Sequence, residues 1–355
     1  MKALIAMSGG VDSSVSAYRM LEEGYDCVGC TMRLYENDMI GEDLMGTCCS
    51  MKDTEDARAV TKKLGMDYHI FHYEQLFCQE VIEPFVRAYE TGETPNPCIE
   101  CNRCFKFMHL YDKMKKLGCD CIVTGHYARI EYDDGKKRWL LKKGLDDKKD
   151  QSYVLYTMTQ YQLEHTRFPI GEMTKDEVRR IAEENGFVNA HKQDSQDICF
   201  VPDGDYAAFM ERYRKKTYPR GAFLDMEGKV IGEHKGYIRY TIGQRKGLGI
   251  SAEHPLYVVS ISPEDNTVTL GQNEDLFSRE LDADRINLIS VEDIEEPLRI
   301  KAKIRYRQTE QPATVVRTGE DRLHITFDEP QRAITKGQAV VMYQGDTVLG
   351  GGVII

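Results

Sequence analysis

Seven residues constrain this chain more than any other feature. Ser8-Gly9-Gly10-Val11-Asp12-Ser13-Ser14 directly follow an apolar run, Lys2 to Met7, and open a helical pattern that continues to Gly24. The apolar run reads as a buried strand. Two glycines let the backbone turn tightly, and the hydroxyls and unsatisfied N–H groups at the start of a helix face an anion. Strand, glycine turn and helix together make a phosphate cradle. The string has neither the Gly-Lys-Ser/Thr of a P-loop nor the G-x-G-x-x-G of a dinucleotide fold, so it belongs to a different kind of phosphate loop.

The first two hundred residues repeat this alternation. Cys27 to Leu34 and Asp67 to Tyr73 read as strands, and Asp53 to Leu64, Gln75 to Tyr89 and Phe105 to Leu117 as helices. Cys121 to Thr124 is a short buried strand before Gly125. Such alternation predicts a parallel sheet covered by helices, with ligands beyond the C-terminal ends of its strands. Thr174-Lys175-Asp176-Glu177 supplies a capping box for a helix to about Asn185, which Gly186 stops. One more helix is expected at Tyr206 to Arg214. Beyond it lie short alternating segments, Leu256 to Ser260, Thr267 to Leu270, Arg322 to Phe327 and Ala339 to Tyr343, as in a small barrel. The fold class is therefore α/β followed by β-rich modules. At about 150 residues per domain, the 355 residues divide near 205 and 285 into segments 1–205, 206–285 and 286–355.

Charge and cysteine content narrow the function. With 47 Lys+Arg against 58 Asp+Glu the net charge is -11, which argues against generic binding to nucleic acid or anionic membranes but leaves room for a local basic surface. No stretch approaches the roughly 18 to 20 apolar residues of a membrane span, and the N-terminal run is too short for a signal peptide, so a cytoplasmic protein with no membrane partner is expected. The 11 cysteines are odd in number, and the chain is long enough to build cores without staples. Thiol chemistry, metal ligation or burial must account for them. Cys27, Cys30, Cys78, Cys119 and Cys121 fall in apolar patterns and read as core thiols, and Cys48-Cys49 as local to a loop.

Two cysteine segments stand out. In Thr94-Pro95-Asn96-Pro97-Cys98-Ile99-Glu100-Cys101-Asn102-Arg103-Cys104-Phe105-Lys106-Phe107 the prolines keep the chain out of a helix until Cys98. A helix starting near Asn102 then sets Cys101 at its positive end beside Arg103 and Lys106, a setting that lowers a thiol pKa. In Asp194-Ser195-Gln196-Asp197-Ile198-Cys199-Phe200 an isolated cysteine follows a predicted helix on a polar loop.

The loop Ser8 to Ser14 resembles the pyrophosphate loop of the ATP pyrophosphatases, which have an adenine nucleotide alpha hydrolase-like domain. The resemblance extends further. Thr94 to Phe107, Gly125-His126-Tyr127-Ala128-Arg129, Lys149-Asp150-Gln151-Ser152-Tyr153, Asp194 to Phe200, Tyr240 to Gly249, Arg305-Tyr306-Arg307-Gln308 and Gly337-Gln338 occur in order. Together with the loop, these motifs resemble the bacterial tRNA 2-thiouridylases, the MnmA/TrmU family, over nearly the whole chain.

The resemblance implies that ATP, with Mg2+, adenylates O2 of the wobble uridine in a tRNA, after which sulfur replaces that oxygen and AMP leaves. It implies ATP contacts at Ala6, Met7, Ser8, Gly9, Gly10, Val11, Asp12 and Ser13, at Met32 after the second strand, and at Gly125. Cys199 matches the cysteine that carries the persulfide and Cys101 its catalytic partner. The tRNA anticodon stem-loop is expected at Asn96, Pro97, Cys98, His126, Lys148, Lys149, Asp150, Gln151, Arg305, Tyr306 and Gln338. A cysteine desulfurase or relay protein would supply the persulfide. Many family members carry Asp where this chain has Cys98, so Cys98, Cys101 and Cys199 form an alternative set of [4Fe-4S] ligands. A zinc site wants four ligands and would need Cys104 as well.

An acidic chain that binds RNA needs concentrated cations. In a strand, Arg299, Lys301, Lys303, Arg305 and Arg307 would share one face, with Ile300, Ala302, Ile304 and Tyr306 on the other. The bland alternative is a solvated face balanced by Glu295, Glu296 and Glu310. Two further functions compete with tRNA thiolation: a ligase of the same superfamily that adenylates a small molecule, and a sulfur-trafficking module that binds tRNA without modifying it. The ligase explains Ser8 to Ser14 but neither the paired thiols nor the basic strand.

Overall fold

The computed structural model describes residues 1–35, 51–194 and 198–355. Cys48-Cys49 and the stretch Ser195 to Asp197 lie outside the described residues. The first half contains strands β1 (Lys2–Ala6), β2 (Asp26–Arg33), β3 (Asp67–His72), β4 (Cys121–Val123), β5 (Ala128–Asp133), β6 (Arg138–Lys143) and β7 (Thr166–Arg167). Five of them form a parallel sheet in the order β3-β2-β1-β4-β7. β1 is central and buried on both faces, as parallel sheets require. Its side chains alternate between two cores: Leu4 packs with Phe77, Phe105 and Phe200, and Ala3 and Ile5 pack with Val11, Val15, Val60 and Val178. Helices Val11–Glu22 and Met51–Lys63 supply part of the second core.

Two helical rods cover the other face. One runs over 74–90 and contains a π-helical turn at Cys78–Ile82. The second starts at Pro97, passes through a π-helical stretch at Asn102–His109 and ends at Lys116. This start corrects the expectation of a helix beginning near Asn102. Asn96 is the N-cap, its Oδ1 accepting the Cys98 N–H at 3.1 Å, and Pro97 occupies the first helical position, where its missing N–H costs nothing. Cys98 therefore lies in the positive first turn, and Cys101 one turn further in.

The capping box at Thr174 forms both of its bonds: Glu177 Oε2 accepts the Thr174 N–H at 2.7 Å and Thr174 Oγ1 accepts the Glu177 N–H at 3.3 Å. The helix it opens is Lys175–Glu184. The next helix, Tyr206–Arg214, carries Phe209 and Met210 into the core around Phe200. After it come β8 (Gly221–Leu224), β9 (Val230–His234), β10 (Tyr257–Ser262) and β11 (Thr267–Gly271), a sheet in the order β10-β11-β8-β9 around Phe223, Val258 and Val268.

The last six strands are β12 (Phe277–Leu288), β13 (Leu298–Lys303), β14 (Gln311–Gly319), β15 (Arg322–Arg332), β16 (Ala339–Gln344) and β17 (Thr347–Ile354). They pair in the order β12-β15-β14-β13-β16-β17, and β17 returns to β12, closing a barrel around Ile300, Ala302, Val315, Ile325, Phe327 and Met342. Residue 285 falls inside β12. The β5–β6 hairpin, which comes from the first half of the chain, joins the barrel at β17 through Thr347 and Lys142. Lys143 to Glu310 (2.6 Å) and Arg129 to Asp346 (2.8 Å) reinforce that seam. One sheet thus links the phosphate-loop domain to the barrel.

Candidate active site

The phosphate loop sits beyond the C-terminal end of β1. Gly9 has φ +72°, and a Cβ there would lie 2.3 Å from the Asp53 carbonyl oxygen, so only glycine fits. Ser13 Oγ donates to the Gly10 carbonyl at 2.9 Å and accepts the Ser8 N–H at 3.2 Å, which folds the loop over the helix start. Val11, Asp12 and Ser13 stand in the first turn, where N–H groups have no intrahelical acceptor. Gly125, after β4, closes the loop from the side: a Cβ there would lie 2.8 Å from Ser13 N. Ala6 ends β1, and Met7, which follows it, donates its N–H to the Cys30 carbonyl of β2 at 2.7 Å. Met32 lies within β2 rather than after it, buried in the core, because β2 continues to Arg33.

Residues distant in sequence hold this loop: the sequence reading did not single out Asn189 and Lys192, and it gave Lys175 only as part of a capping box and Lys149 only as a tRNA contact. Asn189, fully buried, donates to the Gly9 carbonyl at 3.0 Å and to Ser14 Oγ at 2.9 Å. Lys192 Nζ donates to the same carbonyl at 3.1 Å while pairing with Asp53 (2.5 Å) and Asp56 (2.6 Å). Lys175, at the start of its capped helix, places Nζ 2.8 and 2.9 Å from the two Asp12 oxygens and 2.6 Å from Asp194 Oδ1. The Tyr127 hydroxyl donates to Asp12 at 2.8 Å. Lys149 completes the group at 2.6 Å from Asp194 Oδ2. Burial alone would raise the Asp194 pKa, but the bonds from Lys149 and Lys175 outweigh it and hold the carboxyl below its usual range.

The cysteines divide by environment. Cys27, Cys30, Cys104, Cys119 and Cys121 are buried. Burial pushes Cys27, Cys104 and Cys121 up to about 11, so these thiols stay protonated and inert near neutrality. Cys78, read from sequence as a core thiol, is half-buried and lies 3.2 Å from the Tyr213 hydroxyl. Cys98 is exposed; Cys101 and Cys199 are half-buried and pack at the edge of one hydrophobic cluster, the one around Phe77, Phe105 and Phe200. Among the described residues no three His, Cys, Asp or Glu side chains are gathered as a site for a metal ion.

Of the residues expected to meet RNA, some surround the cysteine helix and others serve the interior. Gln338 Nε2 donates to the Thr94 carbonyl at 2.8 Å, and the Thr94 N–H donates to Lys336 O at 2.9 Å, docking the barrel on the loop before Asn96. Tyr306 lies near Tyr153, ring centroids 6.0 Å apart and ring planes tilted by 54°, and is pushed up to about 12 by burial, then by Asp150, with Cys98 close enough to contribute. Asp150 itself is buried. It accepts from Gly144 N–H, Ser152 N–H and Ser152 Oγ and lies 3.6 Å from Lys303, so its side chain ties the loop to the barrel. Gln151 pairs with Tyr127 through main chain and side chain.

His126 is buried between Lys106 Nζ (3.3 Å from Nε2) and Thr124 Oγ1 (2.6 Å from Nδ1). Burial, and then the Lys106 charge, push its pKa well below the usual value. Because an ammonium only donates, Nε2 is the acceptor and the proton sits on Nδ1.

The expected stripe of five cations is not a single strand face. β13 ends at Lys303 because Gln308 Oε1 accepts the Ile304 N–H at 3.0 Å and the Gln308 N–H returns to Arg305 O, making a turn of residues 305–308. Tyr306 therefore leaves the apolar side. Arg299 is engaged by Asp328 in a two-pronged pair (2.8 and 2.7 Å), and Arg305 Nη2 donates to Ala333 O at 2.7 Å. Arg307 is exposed. Beside this turn a cavity of about 530 Å³ is lined by Arg305, Arg307, Gln308, Gln331 and Arg332.

An α/β domain with a phosphate loop, joined to a small β module and a closed barrel, defines the class. Its parts match three family models in order: "tRNA methyl transferase HUP domain" over residues 1–203, "tRNA methyl transferase PRC-barrel domain" over 207–272 and "Aminomethyltransferase beta-barrel domain" over 278–354. The chain is 52% identical over 353 residues to the tRNA-specific 2-thiouridylase MnmA of Clostridioides difficile (strain 630), covering 99% of this chain and 98% of that protein. It is 48% identical to MnmA of Acetivibrio thermocellus, covering 99% of each. The chain belongs to the MnmA family.

Proposed function

We propose that this protein is an ATP-dependent tRNA uridine 2-sulfurtransferase that thiolates the wobble position. One observation carries the reading: a chain of the MnmA family holds, in a single domain, a phosphate loop and two half-buried cysteines at the edge of one hydrophobic cluster. ATP enters with Mg2+ as its counter-ion and lays its phosphates over Ser8 to Ser13, beside Gly125. The uridine O2 attacks the α-phosphorus, pyrophosphate leaves, and C2 then carries an AMP leaving group. A Cys199 persulfide, loaded by a donor protein, attacks C2 through its terminal sulfur and AMP departs. The Cys101 thiolate next attacks Cys199 Sγ; the S–S bond to the nucleoside breaks, leaving 2-thiouridine and a Cys101–Cys199 disulfide, which a dithiol reductant resets.

In this reading residues 1–205 carry the chemistry, while 206–285 and 286–355 select the tRNA. Asn96, Pro97, Cys98, Lys148, Tyr306 and Gln338 frame the nucleotide. Asp150, Gln151 and His126 shape that surface from beneath. The test is mass spectrometry of tRNA nucleosides after incubation with ATP and a persulfide donor. The wild type forms 2-thiouridine, and Cys199→Ala and Cys101→Ala do not. A Cys199→Ala protein that still thiolates tRNA overturns the assignment.

A further inference from the structure

We infer that Arg332 and Arg305 form a phosphate-binding site at the junction between the central β module and the barrel, and that its occupant is a backbone phosphate of the tRNA; the inference rests on the functional reading above. Arg332 ends β15, and Arg305 opens the turn that follows β13. Both heads converge on Gly243 of the central module. A Cβ there would lie 3.2 Å from Arg332 Nη1, 3.8 Å from Arg305 Nη2 and 2.9 Å from the Ala333 Cβ, and φ is +85°. Glycine is what lets the two guanidiniums share this place. Asn273 orients one of them by accepting from Arg332 Nε at 3.0 Å, and the Tyr257 ring centroid lies 5.0 Å from the same guanidinium.

The acceptors of this pair are neutral. Arg305 Nη2 donates to Ala333 O at 2.7 Å, Arg332 Nη2 reaches Gly243 O at 3.4 Å, and among the described residues no carboxylate lies within ion-pair distance of either. Glu329, at the rim of the cavity, is turned to Arg279 at 3.8 Å with its side chain largely in solvent. Two half-buried like charges therefore stand together without a counter-charge. Burial, and then the Arg332 charge, hold the Arg305 pKa below its usual value. Such a pair is unfavourable until an anion joins it. Each guanidinium has five N–H donors, and the contacts above engage only a minority of them.

A phosphodiester is the matching anion, because its two non-bridging oxygens accept the two-pronged bonds a guanidinium offers. The adjoining cavity of about 530 Å³ has room for the phosphate and the sugars beside it. Its position points to RNA as the source. Tyr306, next to Arg305 in sequence, lies near Tyr153 with Cys98 close by, and the exposed Arg307 lines the same cavity. A strand that brings a base to Cys98 thus runs past both forks. Since Gly243 and Tyr257 belong to the module and Arg305 and Arg332 to the barrel, the bound phosphate also draws the two together.

The experiment measures binding of unmodified tRNA to the full-length protein across a salt series, for wild type, Arg332→Gln and Arg332→Lys. Arg332→Gln is expected to bind about tenfold more weakly and to lose about one unit of salt slope, whereas Arg332→Lys keeps the slope and recovers part of the affinity, having the charge without the fork. A lower melting temperature of Arg332→Gln with an unchanged slope would mean a structural role only and overturns the site. Should Arg332→Gln fail to fold, phenylglyoxal modification of the wild type, read by peptide-resolved mass spectrometry, supplies the readout: bound tRNA slows modification of Arg332 by about threefold or more. An unchanged rate overturns the proposal. Inorganic phosphate alone tests the source of the anion; if it protects Arg332 while tRNA does not, the site takes a free anion and the RNA assignment falls. Protection of Arg332 by a tRNA that gains no sulfur supports the site and overturns the thiolation reading instead.

Discussion

Gly125 and Ser13 approach so closely that a Cβ on Gly125 would lie 2.8 Å from the Ser13 nitrogen, with Asp12 C at the same distance. Both obstructing atoms are backbone, so the loop itself must yield. Gly125→Ala is expected to weaken ATP-analogue binding by about tenfold, or about 1.4 kcal/mol, while shifting the melting temperature little. Calorimetric titration checks it; unchanged affinity would show that Gly125 does not shape the nucleotide site.

Lys175→Met leaves Asp12 and Asp194 facing each other in a partly dry site. Removing one partner of such a network costs about 3 kcal/mol, readable as a lower denaturation midpoint at neutral pH. The Asp194 carboxyl is depressed in the folded state, so its stabilisation is present above the unfolded pKa and is lost as pH falls through the folded value. The stability difference between wild type and Lys175→Met therefore narrows in acid, below about pH 4. A constant difference down to pH 3 would contradict the pairing.

His126 supplies a separate pH signature. Its folded pKa lies well below 6.5, because of burial first and Lys106 second, so the unfolded chain binds a proton that the native protein does not. Stability then rises with pH in the window between the depressed value and 6.5, by up to about 1.4 kcal/mol per pH unit from this group. Urea denaturation at pH 5, 6 and 7 should show that slope in wild type and a shallower one in His126→Gln. Parallel curves would refute it.

The barrel arginines are not equivalent. Arg305 holds the Ala333 carbonyl, so reversing it damages the barrel as well as any RNA contact. Arg307 is the cleaner probe. Arg307→Glu is expected to lower tRNA affinity by about tenfold and to reduce the salt dependence of binding by about one unit of slope. Arg299→Ala, whose guanidinium is already taken by Asp328, should leave tRNA affinity nearly unchanged. Filter binding across a salt series separates the two, and equal effects would mean that the whole strand faces RNA.

Much of the fold was legible in the order of residues. Alternation of short apolar runs with helical patterns predicted β1 to β4 and their helices, and the capping box at Thr174 formed both bonds. The cysteine helix was misread because Pro95 and Pro97 look like breakers, whereas Asn96-Pro97 is a cap followed by a tolerated first position. The basic strand was overextended because alternation alone does not reveal the Gln308 side chain that turns the chain after Lys303.

What the sequence by itself determined is local: the glycine turn, the first-turn donors and the period of each strand, all set by dihedral preference and side-chain alternation within a few residues. Which groups hold that loop was decided only by tertiary structure. Lys175 reads in sequence as the first residue of a capped helix, yet it meets Asp12, 163 positions away, and Asn189 meets Gly9 across 180. The charge balance of −11 likewise says nothing about which cations are paired; Arg299, exposed like Arg307, is held by Asp328. Such pairings depend on how strands and helices stack, because a Coulomb contact needs a few ångströms of separation in space and none in sequence.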